Sequence, residues 1–337
     1  MDGKVTMTLG LALIGAGRIG SNHAGIVAHQ VPGARLVAVA DPVEIAAKRL
    51  AAELDADAVD VDTLLGRSDV DGVLITAPAR SHTDLVVAAA AAGKHVFCEK
   101  PMAVTLADAD RAIAAAEQAG IVLQVGFNRR FAPAFAAARA AIDEGRIGTP
   151  QLLRSLTRDP GPFTADPARI PQWTIFFETL IHDFDTLCFL NPGARPVAVH
   201  AFADALVAPE ARDRGHLDTA VVTIRFDNGA IATAEANFSA LYGYDVRGEA
   251  FGSAGMVTAG TARVNDMTLY DAGGIHVDTA RRDTDLLHAA YAGEIRAFVE
   301  AVGTGGASPV PGATARTALE IALAAIESVE TGTAVTL

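Results

Sequence analysis

Residues 9 to 20, LGLALIGAGRIG, carry an apolar run straight into three glycines spaced G-x-G-x-x-G. A continuous apolar run of this length reads as a strand buried on both faces, the situation of a parallel sheet covered by helices. The glycines constrain the chain beyond that strand. Gly15 permits a tight turn, Gly17 lets a pyrophosphate approach the backbone, and Gly20 lets the next helix pack closely on the strand. A helical pattern then runs from Arg18 to about Gln30. Its N-terminus offers N–H groups to phosphate, so Gly15, Gly17, Arg18, Ile19 and Gly20 form one candidate anion cradle. In a chain rich in alanine and glycine the pattern alone is a weak signal, and its surroundings decide it.

Those surroundings repeat the same design. ARLVAVAD (34–41) reads as a second strand, and PVEIAAKRLAAEL as a helix with Pro42 in its first turn. DGVLITAP (71–78) and KHVFCEKP (94–101) are further strands. Between them SHTDLVVAAAAAG offers Ser81 as a cap and Gly93 as a stop. TLADADRAIAAAEQAG is another helix, and IVLQVGFN (121–128) closes the series. The second strand ends on Asp41, about 20 residues beyond the last glycine, where an acid accepts hydrogen bonds from the adenine ribose. A plain structural turn with Asp41 as a helix cap is the competing reading. An acid here repels a 2′-phosphate, and Pro42 stands where an arginine often welcomes one, so the expected cofactor is NAD.

After about residue 150 the texture changes. PQLLRSLTRDP reads as a strand and FFETLIHDFDTLCFL as a helix. PVAVHAFADALV, DTAVVTIRF, AIATAEANFS, DVRGEAFGSAGMVTAG and ARVNDMTLYDAGGIHVD then read as strands. Asp227 to Gly229, DNG, is a hairpin turn signal, so this half is expected to be α+β with a mainly antiparallel sheet. Two helices end the chain. The expected division is an α/β dinucleotide-binding domain over 1–128 and a second domain over 129–337, with a bridging helix at 131–145.

Bulk properties exclude some partners. With 27 basic residues against 40 acidic ones and a formal net charge of −13, nucleic acid and anionic membrane are poor fits. No apolar run reaches the roughly 18 residues of a membrane span. Two cysteines without paired spacing, Cys98 and Cys188, argue against a disulfide framework or a thiolate metal site. They fit a reducing cytoplasm, and the short apolar N-terminal run does not read as a signal peptide.

Ligands of an open parallel sheet lie beyond the carboxyl ends of its strands. Thr76, Ala77 and Pro78 fall at one such end, and Glu99, Lys100 and Pro101 at the next. Lys100 is therefore aimed at the nicotinamide half of the cofactor, unless it merely caps a strand at the surface. A cis Lys100–Pro101 bond is plausible there. His82 reads as structural or as a border of the cofactor.

The segments GAGRIG, APARSHTDLVVAAAAAGKHVFCEKPMA, VGFNRRFAPAF, IHDFD and YGYDVRGEAFGSAG together resemble the Gfo/Idh/MocA oxidoreductases over essentially the whole chain. GFNRRF, IHDFD and GYD most resemble the myo-inositol dehydrogenase branch. The resemblance implies a Rossmann domain followed by an open-sheet domain that forms dimers or tetramers. It implies that Lys100 contacts the reacting hydroxyl and that His182 is the acid/base. An arginine of GFNRRF contacts substrate by the same resemblance, with Arg130 favoured and Arg129 reading equally as a salt-bridge partner between the domains, and Tyr244 matches a tyrosine of the inositol site. Tyrosine in a sheet is more often core packing. Arg158 reads equally as a pocket or a loop residue.

Geometry adds to this. On a regular helix Glu178 and His182 share a face, Asp185 lies near it, and Asp183 turns about 100° away. A carboxylate-oriented histidine is a competent proton acceptor for hydroxyl oxidation. A helix-surface pair is as good a reading of the spacing. A metal site from Glu178, His182 and Asp185 lacks a second histidine at ligand spacing, so no metal is expected. The branch carries aspartate, after two glycines, where this chain has Glu178 after TIFF; that departure bears on the polyol more than on the reaction. The expected activity is NAD-dependent oxidation of a secondary hydroxyl of a cyclic polyol or sugar. The alternatives are a keto-sugar or anhydrosugar reductase of the same family and a non-catalytic NAD-binding regulator.

Overall fold

The computed structural model describes residues 8–161 and 170–337. The chain divides into two compact units. One holds the residues through Asn128 together with Ala289–Arg316; the other holds Arg129–His288 and Thr317–Leu337.

The first unit alternates strands and helices: β1 (Leu9–Ile14), α1 (Arg18–Gln30), β2 (Ala34–Ala40), α2 (Glu44–Glu53), β3 (Asp57–Ala58), α3 (Val61–Gly66), β4 (Gly72–Ile75), α4 (His82–Ala91), β5 (His95–Cys98), α5 (Leu106–Ala119) and β6 (Leu123–Val125). All six strands are parallel, in the order β3-β2-β1-β4-β5-β6. Every residue of β1 and β4 is buried, as a sheet covered on both faces demands. Local signals set the helix ends. Thr105 caps α5 by accepting the Asp108 N–H, and Gly120 ends it at φ 66°. The order reverses between β1 and β4, the switch point where such sheets bind dinucleotides.

The second unit begins with α6 (Pro133–Asp143) and β7 (Pro150–Arg158). A helical turn over Ile175–Leu180 leads into α7 (Ile181–Phe189). Strands β8 (Pro196–Asp204), β9 (Thr219–Phe226), β10 (Ile231–Asn237), β11 (Asp245–Gly252), β12 (Gly255–Thr261), β13 (Arg263–Asp271) and β14 (Gly274–Thr279) come next, then α8 (Asp283–Leu286), α9 (His288–Thr304), α10 (Gly312–Thr331) and β15 (Val335–Thr336). Seven of these strands form a sheet, β12-β11-β7-β10-β9-β8-β15, antiparallel except where β10 lies parallel to β7. β13 and β14 form a separate hairpin. The expected DNG turn joins β9 to β10, with Gly229 at φ 88°.

Two features differ from the sequence reading. The first is the chain course: most of α9 belongs to the first unit rather than the second. Its buried face includes Tyr291, Glu294, Ile295 and Phe298, and Phe298 meets Phe97 of β5 edge-on at 6.1 Å. Periodicity shows that a helix has an apolar face but not which sheet receives it. The second is the geometry before His182. Ile175–Leu180 is a π-helical turn, with the Ile181 N–H reaching the Phe176 carbonyl five residues back. A regular helix wheel therefore does not apply from Glu178 to His182, and π turns of this kind recur at functional sites.

Candidate active site

The glycine turn of the first unit fits a dinucleotide. Gly15 sits at φ 108°, and a Cβ there would come within 2.7 Å of the Thr76 backbone. A Cβ on Gly20 would lie 1.9 Å from the Gly15 carbonyl oxygen, so only glycine allows α1 to pack this closely. A Cβ on Gly17 would meet nothing within 4 Å, which leaves the open approach a pyrophosphate needs. Gly17 caps α1 with no side-chain hydrogen bond, so the helix opens without a competing cap. Arg18 and Ile19 open that helix.

Asp41 directly succeeds β2. Its Oδ2 accepts the Ala16 N–H at 2.7 Å and its Oδ1 the Val43 N–H at 2.7 Å. The carboxylate thus ties the glycine turn to the start of α2, combining the turn role with the position expected of a ribose acceptor. Beside it lies a pocket of about 510 Å³ lined by Asp41, Glu44, Lys48, Asp60 and their neighbours. Lys48 pairs with Glu44 at 2.5 Å, so the lining keeps an acidic surplus that disfavours a 2′-phosphate.

Thr76 Oγ1 donates to the Gly15 carbonyl at 2.7 Å and locks the loop after β4 to the glycine turn. Ala77 and Pro78 continue that loop. His82 is buried, with Nε2 2.6 Å from the Ala77 carbonyl and Nδ1 2.8 Å from that of Pro101. It therefore links the loops after β4 and β5. Glu99, Lys100 and Pro101 come directly after β5, the Lys100–Pro101 peptide is cis, and Lys100 is half-buried. Cys98 is fully buried; burial and then the Glu99 charge push its thiol well above the ordinary range, which fits an inert filler.

In the second unit, His182 stands half-buried in the first turn of α7, and Glu178 is exposed in the π turn ahead of it. The Thr186 hydroxyl donates to the His182 carbonyl at 2.8 Å. Asp183 is 0% exposed and anchors α7 to β7. It accepts Arg129 Nη1 at 2.8 Å, Ser155 Oγ at 2.6 Å and Thr157 Oγ1 at 2.7 Å. The sequence offers Arg129 as a salt-bridge partner but does not show this network, because its members lie 28 and 54 positions apart along the chain.

Arg130 lies against Asp185, donating Nε to Oδ2 at 2.8 Å and Nη2 to Oδ1 at 2.7 Å. Its guanidinium also stacks 4.9 Å from the Phe189 ring centre. Burial opposes its charge, but Asp185 more than offsets that and holds the group above its ordinary range. Arg158 donates to Glu235 at 2.6 Å, and Glu235 also receives Arg154. The Tyr244 hydroxyl donates to Asp159, which is buried. Arg130, Arg158 and Tyr244 thus each engage a carboxylate of their own unit.

Comparison with known proteins identifies the family. A model described as an oxidoreductase family with an NAD-binding Rossmann fold matches residues 9–127, and one for the GFO/IDH/MocA C-terminal domain matches residues 135–258. The scyllo-inositol 2-dehydrogenase (NAD(+)) of Bacillus subtilis is 36% identical over 330 residues, 97% of this chain and 95% of that protein. The myo-inositol 2-dehydrogenase of Thermotoga maritima is 36% identical over 326 residues, 95% of this chain and 96% of that one. A crystal structure of scyllo-inositol dehydrogenase from Lactobacillus casei, with bound NAD(H) and scyllo-inositol, matches with a TM-score of 0.92 at 26% identity, covering 98% of this chain and 99% of that one. With its dinucleotide turn, its Glu-Lys-Pro loop and both family models matched, the chain belongs to the GFO/IDH/MocA oxidoreductase family.

Proposed function

We propose that the protein oxidises a secondary hydroxyl of a cyclic polyol of the inositol class with NAD as the oxidant. The observation that carries this reading is the position of Lys100, two residues past the carboxyl end of β5 in a sheet whose first turn is built for a dinucleotide. The inositol dehydrogenases among its relatives supply the substrate class.

NAD, when bound, supplies the hydride acceptor. Lys100 polarises the reacting hydroxyl and stabilises its alkoxide character. His182 takes the hydroxyl proton, so the carbon loses a hydride and the oxygen a proton, leaving a ketone. Glu178 orients His182, and its carboxylate reaches one methylene further than an aspartate would. Gly15, Gly17, Arg18, Ile19 and Gly20 hold the pyrophosphate, and Asp41 holds the ribose. Thr76, Ala77, Pro78, His82 and Glu99 form the wall beside the nicotinamide half. Tyr244 and Arg158 contact substrate hydroxyls while their carboxylate partners fix their direction. Arg130 serves by positioning: its pairing with Asp185 and stacking on Phe189 support a role in holding α7 rather than in touching substrate.

We read the protein as a homo-oligomer that pairs through the open face of the second sheet. Ile231, Leu152, Phe251 and Met256 form one cross-strand row of that face, and Phe202 and Val221 begin another. All six are exposed, Phe202 at 72%, and the four-residue row forms an uncovered apolar strip of the kind that marks interaction surfaces. No described helix is long and apolar enough to cross a membrane. Both cysteines are free thiols, which supports a cytoplasmic setting.

The test is reduced-nicotinamide absorbance with NAD across a panel of inositol isomers, other cyclic polyols and sugars. Turnover highest with an inositol isomer is expected. Turnover confined to open-chain or non-polyol alcohols would overturn the reading.

A further inference from the structure

Helix α9 carries Glu294 into the interior of the Rossmann unit. The side chain is 0% exposed, and neither carboxyl oxygen has a hydrogen-bond partner. Two groups face it. His23 of α1, also fully buried, places Nε2 2.7 Å from Glu99 Oε1 and 3.9 Å from Glu294 Oε1. Glu99 is the residue directly before Lys100, and its other oxygen, Oε2, accepts the Lys100 backbone N–H at 3.2 Å.

The surroundings are apolar and tight. The His23 ring is held edge-on by Phe97 at 5.3 Å and Tyr291 at 5.6 Å. A Cβ on Gly126 would come within 3.0 Å of Glu99 Oε1, so the glutamate has no room to retreat on that side. The Tyr291 phenol on α9 meets the His23 ring, and the Cys98 thiol of β5 feels the Glu99 charge. From β6, Gln124 is neutral and donates Nε2 to the Glu294 carbonyl at 2.8 Å.

A buried carboxylate without a donor must be neutralised. A metal ion, a charged partner and a proton are the three ways, and His23, 3.9 Å away with its Nε2 on Glu99, makes no hydrogen bond to Glu294. The three candidate ligand atoms lie within 4.8 Å of one another, a spacing loose enough to admit an ion. The 2.7 Å contact argues otherwise. Ligands bound at about 2.0–2.2 Å to a tetrahedral ion stand well over that distance apart, so this contact is a hydrogen bond. Glu99 also already spends its second oxygen on the backbone. Burial, and after it the Glu99 charge, pushes Glu294 well above the usual carboxyl range, in keeping with a retained proton.

We propose that Glu294 and His23 are positioning residues for the catalytic turn: a neutral carboxylic acid at Glu294 packs beside the His23 ring, whose N–H holds the Glu99 carboxylate, which in turn fixes the backbone from which Lys100 projects. The proposal rests on the reading of Lys100 as the catalytic lysine. Glu294→Gln keeps the shape and neutrality of the acid, whereas Glu294→Ala removes the prop.

The experiment compares both variants of the full chain with the parent. An infrared spectrum at neutral pH should show the carbonyl stretch of a protonated carboxylic acid, lost in Glu294→Gln. Glu294→Gln should keep kcat near the parent value and flatten its decline at alkaline pH. Glu294→Ala should lower kcat by about 100-fold with NAD affinity unchanged, the scale expected of a small misplacement of a reacting group. Absence of the infrared band, or a stoichiometric metal in the purified parent, would overturn the proposal. So would a Gln variant as slow as the Ala variant. If Glu294→Ala does not fold, the band and the Gln profile still decide. The band does not depend on what Lys100 does, so normal turnover in Lys100→Met would sink the functional reading while leaving this proton in place.

Discussion

Arg130 and Asp185 of helix α7 form a two-pronged ion pair, with side chains only 14% and 1% exposed. The planar guanidinium fork fits both carboxylate oxygens and leaves its face to Phe189. Burial of this depth makes the pair unforgiving of half-removal, because the survivor is left as an uncompensated charge.

Arg130→Ala is therefore expected to cost about 3–5 kcal/mol of folding stability, and Asp185→Ala a similar amount. Arg130→Lys restores the charge without the fork and should recover only part of it. Urea unfolding of the three variants measures this. Losses below about 1 kcal/mol, the range of exposed pairs, would show that the pair is not buried in solution.

On the proposed reading, the charge of Asp41 sets the cofactor preference. Replacing it with serine removes the repulsion toward a 2′-phosphate and a backbone tie to Ala16 and Val43. The kcat/KM ratio for NAD over NADP should fall about tenfold or more, the effect of losing a charge-assisted contact worth about 1.5–3 kcal/mol. An unchanged ratio would remove Asp41 from the ribose site.

The buried acid at Glu294 makes a signed prediction about pH. Its folded pKa lies above the free value of 4.5, so the folded chain keeps a proton that the unfolded chain releases. Stability from this group is fully present below 4.5 and is lost as pH rises toward the folded pKa. Glu294→Gln abolishes that loss. Its melting temperature relative to the parent should therefore climb as the buffer goes from mildly acid to alkaline in calorimetry. A difference that stays flat, or shrinks, means Glu294 is ionised.

The open face of the second sheet predicts assembly. Ile231→Lys with Phe251→Lys places charge in the Ile231–Leu152–Phe251–Met256 row, and sedimentation should show smaller particles than the parent. The parent itself sedimenting as a monomer would refute the oligomer reading.

Much of the first unit is legible in the sequence because its signals are local. An apolar strand, a glycine turn and an acid at the next strand end lie within 33 residues, Leu9 to Asp41, and together they favour a dinucleotide turn over a plain structural one. The placement of Lys100 just past β5 is legible for the same reason, since strand ends mark the ligand side of such a sheet. β3, two residues long, and the short α3 escape because neither spans a period. The π turn before His182 escapes because an i→i+5 bond leaves no composition signal. Partners far apart in the chain are the largest loss. His23 and Glu99 are 76 positions apart, and Glu294 arrives on a helix that periodicity alone cannot assign to either sheet.

Lys100 and His182 are read as serving one chemical step, and a double-substitution cycle tests that directly. Groups that act as a unit lose far less together than the product of their separate losses. Lys100→Met and His182→Ala should each lower kcat by about 100-fold or more while NAD affinity stays near the parent value. The double variant should be about as slow as the slower single one. Losses that multiply in the double variant, or normal turnover in either single one, would contradict the shared step.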